Sequence, residues 1–464
     1  MLLVYVVVFG TLTWRQQSNF GTFGFDMGIY DQGIWLLSRF HTPFVTVRGL
    51  NYFGHHVNPI TVLFVPAYWL GAGPHFLYVV ETIAMAAGAI PLWLLTRDRT
   101  DPWTALVPAG VFLLYPSLEW INWWHFHPDA LIITPLLFAW WLASRKKWKW
   151  FAVAIVAALL AKEDASLAVF LMGAVLWIRG ERKIGIRTAI AGAGWFLICT
   201  RVVIPFANHG GGAFYEEFFP GFGNSLPEIV FNLVRHPSKV YRVAFLSDRM
   251  TYYRQLLLPV GLLPIGAPLL LFMAAPQTLI NVVSGHVYTH QIRYHYSSVL
   301  IAVIFIATVD VFCRFVQRGD GWRVVLVALL SVSAIVSNRE FSPSPISRQF
   351  HSGVWAQPSP RHAAVNAALR LVKPSDGVTA TYYLVPHLTH RVHIYEFPNP
   401  FKPANWGVHD TDHPADLNTS NLLVLDTLLL GGDKPIYDAL IQAGTFRVVF
   451  DRDGIVVARR AERS

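Results

Sequence analysis

The sequence predicts an α-helical polytopic membrane protein with a small α/β domain at its C-terminal end. Three observations carry this. Of 464 residues, 54% are hydrophobic and only 14% are Asp, Glu, Lys or Arg, where an ordinary soluble domain carries about 25%. The mean hydropathy is +0.41, with 17 Trp and 32 Phe. After residue 338 the apolar runs shorten to strand length, and Pro and polar residues become frequent. A chain so poor in charge cannot cover itself with polar surface, which excludes a cytosolic enzyme, a coiled coil and a disordered chain.

Apolar runs suited to crossing a bilayer occur near 1–14, 76–95, 103–118, 130–143, 150–162, 165–178, 187–205, 255–273, 275–286, 297–313 and 324–338. Several are shorter than the roughly 20 residues of a perpendicular span. The first has neither a basic n-region nor a small-residue cleavage site, so it reads as a membrane helix and not a removable signal peptide. The net charge of +9 comes largely from short loops: Arg97 and Arg99; Arg145, Lys146, Lys147 and Lys149; Arg179, Arg182, Lys183 and Arg187; Arg314, Arg318 and Arg323. That placement follows the positive-inside rule and argues against nucleic acid as partner. All four loops are cytoplasmic if two segments do not cross singly. Residues 57–71, with Pro59, Pro66, Tyr68 and Trp69, would lie in the interface or re-enter. Residues 255–286, broken by Pro259, Pro264, Pro268 and Pro276, would form a there-and-back hairpin. About eleven helices then cross the cytoplasmic membrane, with the N-terminus inside and the C-terminal domain outside.

The expected division is a transmembrane domain over 1–338, with a first outer loop at 15–75, and an outer α/β domain over 339–464. In the latter, 361–372 reads as an amphipathic helix and Pro374-Ser375-Asp376-Gly377 as a turn. Residues 378–384, 392–397, 422–426 and 446–451 read as strands, the last turning through Asp453-Gly454 into 455–458, with a helix at 435–443. Cys199 and Cys313 give neither metal spacing nor a disulfide framework.

This topology places three acidic motifs on the outer face: Phe25-Asp26 through Asp31-Gln32, Trp124-His125-Phe126-His127-Pro128-Asp129, and Lys162-Glu163-Asp164. The His-rich stretch 286–295 and the loop 206–254 join them. Ionisable groups at membrane depth are costly and default to functional candidates. Asp26 and Asp31 sit about 140° apart on one helix, so they do not make a dyad. Asp26 reads as a lone base near a helix start, or as a cap; Asp31 reads as a structural partner or a solvated acid. His55 and His56 follow Gly54. His125 and His127, spaced i, i+2, suit a phosphate, a sugar or a metal with Asp129 or His56 as third ligand. Neither an HExxH nor paired cysteines support a metal, so no metal ligands are assigned and the cofactor stays unknown. Lys162 with Glu163 and Asp164 reads as a salt-bridged turn or as a phosphate holder completing the acidic site. Arg293, with Tyr294, His295 and Tyr296, reads as a guanidinium fork for phosphate or as a basic membrane anchor.

FDMGIYDQGIW, GHHVNPI, FHPD, the AKEDASL block and VPHLTHRVHIYEFPNP at 385–400 together resemble the bacterial and archaeal membrane family designated domain of unknown function 2079. Its plan is similar to the C-type (GT-C) glycosyltransferases, which include protein O-mannosyltransferases and aminoarabinose transferases. The resemblance implies a GT-C-like fold and a polyprenyl-phosphate-linked sugar and membrane lipid as partners. By position Asp26 corresponds to the superfamily's catalytic acid, though the doubled acid of several subfamilies is absent, since Phe25 and Met27 flank it. Asp129 and Glu163 would complete the catalytic acids. Asp31, His55, His56, His125, His127, Lys162, Asp164, Arg293 and His295 would bind substrate. The expected activity is inverting sugar transfer to an acceptor of the cell envelope. The other reading is a non-catalytic transporter or lipid-binding scaffold, against which stand the absence of an internal repeat and the placement of charge at helix ends.

Overall fold

The computed structural model describes residues 1–209, 218–350, 355–407 and 415–461; residues 210–217 of the loop 206–254 therefore lie outside the described residues. The chain opens with the helix Leu2–Ser18, which packs on Pro74–Ala86. Between them the first loop folds into short pieces: a π-helical turn Gly24–Gly28, the helix Ile29–Ser38, the strand pair Phe44–Val45 and Leu50–Asn51, then Pro59–Phe64 and Val65–Trp69. The last two pieces turn Val62, Leu63, Trp69 and Leu70 outward, the surface an interfacial segment presents.

Among the described residues four helices are long and apolar enough to cross a membrane: Pro74–Arg97, Arg182–Ala207, His295–Val316 and Asp320–Phe341. Five shorter apolar helices accompany them: Pro59–Trp69, Pro128–Ser144, Trp148–Ala161, Ala165–Ile178 and Pro268–Val283. The eleven apolar runs do not map onto helices one to one. The first continues to Ser18. The run 103–118 divides into Leu106–Leu113 and Pro116–Trp124, because Pro116 lacks the N–H that would continue the ladder. The segment 255–286 breaks at Gly261 and Leu262, both left-handed at φ 58° and 59°, and not at its centre.

The helix Ser298–Val316 is buried along nearly its whole length. Arg182–Ile198 and Asp320–Phe341 instead expose Ile186, Ile190, Leu197, Val324, Val332 and Val336, the outward apolar face that lipid solvates. Ala165–Ile178 approaches Arg182–Ile198 closely enough that a Cβ on Gly173 would lie 2.4 Å from the Ala189 backbone nitrogen, and one on Gly185 would lie 2.6 Å from the Gly173 carbonyl. Small residues let membrane helices reach such contact.

The C-terminal domain holds a five-stranded sheet in the order Ile394–Glu396, Val378–Ala380, Leu422–Asp426, Ile455–Arg460, Phe446–Arg452. The first three strands run parallel, with Val378 opposite both Ile394 and Leu422; the last two pairings are antiparallel. Strand periodicity divides its residues between two faces. Leu423, Leu425 and Val456 pack under Tyr437, Leu440 and Ile441 of the helix Lys434–Gln442. Leu422, Val424 and Val457 join Val365 and Ala368 of the helix His362–Leu369 in the core that is continuous with the helical bundle. The expected strands at 378–384 and 392–397 shorten to three residues each; beyond Thr381, whose N–H still bonds the Val424 carbonyl, the chain turns and the Tyr382 carbonyl accepts from Gly24 of the first loop.

Candidate active site between the bundle and the sheet domain

The Gly24–Gly28 turn brings Asp26 to the end of the helix Pro116–Trp124 and the residues after it. Asp26 does not cap the helix that follows; Gly28 occupies that position without a side-chain bond. Instead the Asp26 carboxylate is gripped from the loop 125–127. Trp124 Nε1–H donates to Oδ2 at 2.8 Å, and His127 Nε2 lies 3.3 Å from Oδ1. Burial pushes the Asp26 carboxyl up, but His127, His125 and the Trp124 indole outweigh it and hold the group below the usual aspartate range.

The His127 ring fixes its own proton. Its Nδ1 is 3.0 Å from the His125 carbonyl oxygen, which only accepts, so Nδ1 bears hydrogen. Nε2 is then the ring nitrogen turned to the Asp26 carboxylate. The other face of the ring stacks on His295, centroids 3.8 Å apart. His295 in turn packs on Tyr296 at 4.2 Å, and Lys162 Nζ sits 5.7 Å from the Tyr296 ring.

Lys162, Glu163 and Asp164 form the tight turn between Trp148–Ala161 and Ala165–Ile178. Lys162 Nζ reaches Asp129 at 2.7 Å and Asp164 at 3.4 Å. Glu163 Oε1 is 2.8 Å from His56 Nδ1, and its Oε2 accepts the Val57 N–H at 2.9 Å. His55 stacks against His56 at 4.1 Å. Contacts thus run without a gap from Asp26 through His127 and His295 to Lys162 and Asp129. Glu163, with His56 and His55, joins through the same tight turn.

Two candidates lie elsewhere. Asp31, on the helix Ile29–Ser38, is fully buried and ties the first loop to the sheet domain: Tyr68 donates to Oδ1 at 2.6 Å, Thr389 donates to Oδ2, and His390 Nε2 is 3.3 Å away. Both of its oxygens are thus engaged at the junction of the first loop and the sheet domain, away from Asp26. Arg293 stacks on Trp120 at 4.1 Å and lines a separate cavity of about 320 Å³ with Asp248, Tyr252, His290 and Gln291. Tyr294 beside it packs on Trp124 at 4.7 Å, one helical turn from Trp120, so cavity and cluster share a wall.

Three participants escaped sequence reading. Glu81 accepts the His127 backbone N–H at 3.3 Å and leaves its Oε2 without a partner; a carboxylate inside the run 76–95 was itself the signal. Trp124 supplies an N–H that its sequence context presented as an interfacial aromatic. Glu396 comes from the sheet domain, and burial with the charge of Asp26 pushes it up to about 7. Buried His125 Nε2, His295 Nδ1 and Asp164 Oδ1 also lack partners, a concentration of unmet polar atoms of the kind a substrate satisfies. Among the described residues no group of three His, Cys, Asp or Glu side chains is arranged to hold a metal ion.

The family model described as Predicted membrane protein (DUF2079) matches residues 17–457, nearly the whole chain. This protein belongs to DUF2079. No curated protein matches its sequence. Its fold is similar to the crystal structure of ArnT from Cupriavidus metallidurans bound to undecaprenyl phosphate, with a TM-score of 0.54, 12% identity, and 98% of this chain and 97% of that chain covered. The apo state of the same enzyme gives 0.53 at 11% identity over 94% and 93% of the two chains. The apo oligosaccharyltransferase of Archaeoglobus fulgidus gives 0.53 at 12% identity, covering 95% of this chain and 70% of that one. At such identities the likeness is one of architecture: this chain has a GT-C-like fold, mostly helical, with a small C-terminal sheet domain.

Proposed function

We propose that this DUF2079 protein is a membrane glycosyltransferase that moves a sugar from a polyprenyl-phosphate carrier to a hydroxyl of a cell-envelope glycan, lipid or protein, outside the cytoplasm. The observation that carries the reading is the accessibility of one carboxylate. The Asp26 side chain keeps 23% exposure, against 6% for Asp129 and 1% for Glu163, while Asp164, at 19%, is paired with Lys162 at 3.4 Å. A general base must reach the proton it takes. Asp129 and Glu163 are already spoken for by Lys162, His56 and Val57, so they hold the cavity wall and Asp26 does the chemistry.

In this mechanism Asp26 accepts the acceptor's O–H proton while the oxygen attacks the anomeric carbon. The bond from that carbon to the phosphate oxygen breaks, the electron pair leaves with polyprenyl phosphate, and the anomeric centre inverts. Arg293 answers the departing negative charge: among the described residues no carboxylate pairs with it, and a guanidinium fork suits phosphate. Lys162 is excluded from that task by its two carboxylate partners. The ArnT structure bound to undecaprenyl phosphate supports a carrier of this class.

The test is Asp26→Asn in the native host with full-length protein at normal abundance. Loss of one envelope glycan together with accumulation of its lipid-linked sugar is the expected result. An unchanged glycan and lipid profile overturns the reading and leaves transport or lipid scaffolding in its place.

A further inference from the structure

Glu396 ends the edge strand Ile394–Glu396 of the sheet and reaches the membrane-domain turn that bears Asp26. A Cβ built on Gly24 would lie 2.7 Å from Glu396 Oε2 and 2.9 Å from the Val385 side chain. Gly24 N–H donates to the Tyr382 carbonyl at 2.8 Å, and Phe23 meets the Tyr382 ring edge-on at 5.2 Å. The turn is therefore seated in a slot of the sheet domain, and glycine is required there because the slot has no room for a side chain. Glu396 Oε2 is sealed from solvent and has no hydrogen-bond partner. Ionising the carboxyl leaves that sealed oxygen charged and unpaired, which costs more than the neutral form in the same place.

We propose that Glu396, delivered by the C-terminal domain, is a positioning residue for Asp26: its carboxyl closes against the Gly24 backbone and holds the turn that aims the base at the acceptor. The charged form would set a second negative charge beside Asp26 and leave a sealed oxygen unmet, so it loosens the turn. The groups that face it are few. Asp26 comes from the turn and Tyr382 from its own domain. Arg48 of the first loop is directed to the carbonyls of Asn405 and Gly407 and lies over the Phe25 ring at 5.6 Å. Burial first and the charge of Asp26 second push Glu396 up to about 7, well above a carboxyl in an undocked chain.

The sign follows from that difference. The seated turn binds the Glu396 proton more tightly than the unseated one, so seating is complete at pH below about 4.5 and weakens as pH rises toward 7. Above 7 no further weakening comes from this group. Hydrogen–deuterium exchange of purified full-length protein in lipid nanodiscs reads this directly. After correction for intrinsic exchange, protection of peptides spanning 23–28 should fall by roughly one to two orders of magnitude between pH 5 and 7.5. In Glu396→Gln, which keeps the shape and cannot ionise, that fall should vanish, while Glu396→Ala should be poorly protected at every pH. An equal fall in wild type and Glu396→Gln, or none in wild type, overturns the proposal.

The assignment of Asp26 as base rests on the glycosyltransferase reading, and the two fail separately. If Asp26→Asn accumulates no lipid-linked sugar but the exchange profile follows Glu396, the transferase reading falls and the seating of the turn stands. If the sugar accumulates, membranes from that strain supply donor for purified variants. Wild-type turnover should then decline between about pH 5 and 7, and the turnover of Glu396→Gln should show no such decline. A Glu396→Gln profile that keeps the wild-type decline removes Glu396 from the reaction.

Discussion

Nε2 of His127 faces Oδ1 of Asp26 across 3.3 Å, while Nδ1 of the same ring is pinned 3.0 Å from the His125 carbonyl. The carboxylate proposed as the base is thus held on one side by the His127 ring and on the other by the Trp124 N–H at 2.8 Å. Two consequences follow, one for ionisation and one for rate. With His127 present, Asp26 titrates below the ordinary aspartate value, so its contribution to stability is present above that value and is lost only in strong acid.

His127→Ala leaves burial as the dominant influence on Asp26, and the carboxyl moves up. The acid limb of turnover should therefore shift toward neutral pH, and the maximal rate should fall by roughly 10²-fold, the range expected for a mispositioned acid–base group. The check is a pH–rate profile on membranes charged with the lipid-linked sugar. A His127→Ala profile with the wild-type acid limb would show that the pair does not set the state of Asp26.

Lys162→Met is expected to destabilise the protein by about 3–5 kcal/mol, because it strands Asp129 and Asp164 as uncompensated buried charges. The ammonium contacts both carboxylates and is itself almost fully buried. Adding Asp129→Leu to Lys162→Met should recover part of the loss, since removal of both partners leaves fewer unmet charges. Thermal unfolding in one detergent, followed for both variants, checks the order.

Asp31→Ala should loosen the sheet domain and not the bundle. It leaves the Tyr68 and Thr389 hydroxyls buried without their acceptor, each a penalty of about 1–3 kcal/mol. Gln32 supports the same junction, donating to Thr46 at 2.9 Å and to the Val392 carbonyl at 3.1 Å. Limited proteolysis should release a C-terminal fragment from Asp31→Ala at protease levels that leave the wild type intact.

What the sequence disclosed divides along a physical line. Charge in an apolar chain is conspicuous, so Asp26, His127, Asp129, Lys162 and Glu163 were legible as a group before any fold was known. Which carboxylate stays available was not, because Glu163 is engaged by His56 and Val57 from 107 and 106 residues away. Asp31 shows the same limit: its partners Thr389 and His390 belong to a domain that the composition shift announced without indicating where it docks. Glu396 stands in the run 385–400 that carries the family resemblance, but nothing in that run assigns it a role; only its approach to Gly24 does. The strand Val378–Ala380 is shorter than the β-branched and aromatic residues of 378–384 suggest because Tyr382 turns from the sheet to the first loop, a tertiary override of local propensity.

Gly33→Ala offers a last prediction, drawn from packing alone. An added methyl would lie 2.1 Å from Cδ2 of the Tyr52 ring. That ring cannot swing aside: it is buried, its hydroxyl donates to Thr61 at 3.1 Å, and Tyr30 packs against it edge-on at 6.3 Å. The helix Ile29–Ser38 would have to lift from the strand pair beneath it, carrying Asp31 and Gln32 away from the sheet domain. Overpacking of this kind costs about 1–3 kcal/mol, and the lost domain contacts add to it. Gly194→Ala is the matched control, since a Cβ there meets nothing within 4 Å and Ala is the better helix former by about 0.5–1 kcal/mol. Gly33→Ala should lower abundance and the unfolding temperature and raise proteolytic release of the sheet domain, while Gly194→Ala leaves all three unchanged or improved. Equal behaviour of the two variants would mean that the first-loop helix does not seat the domain.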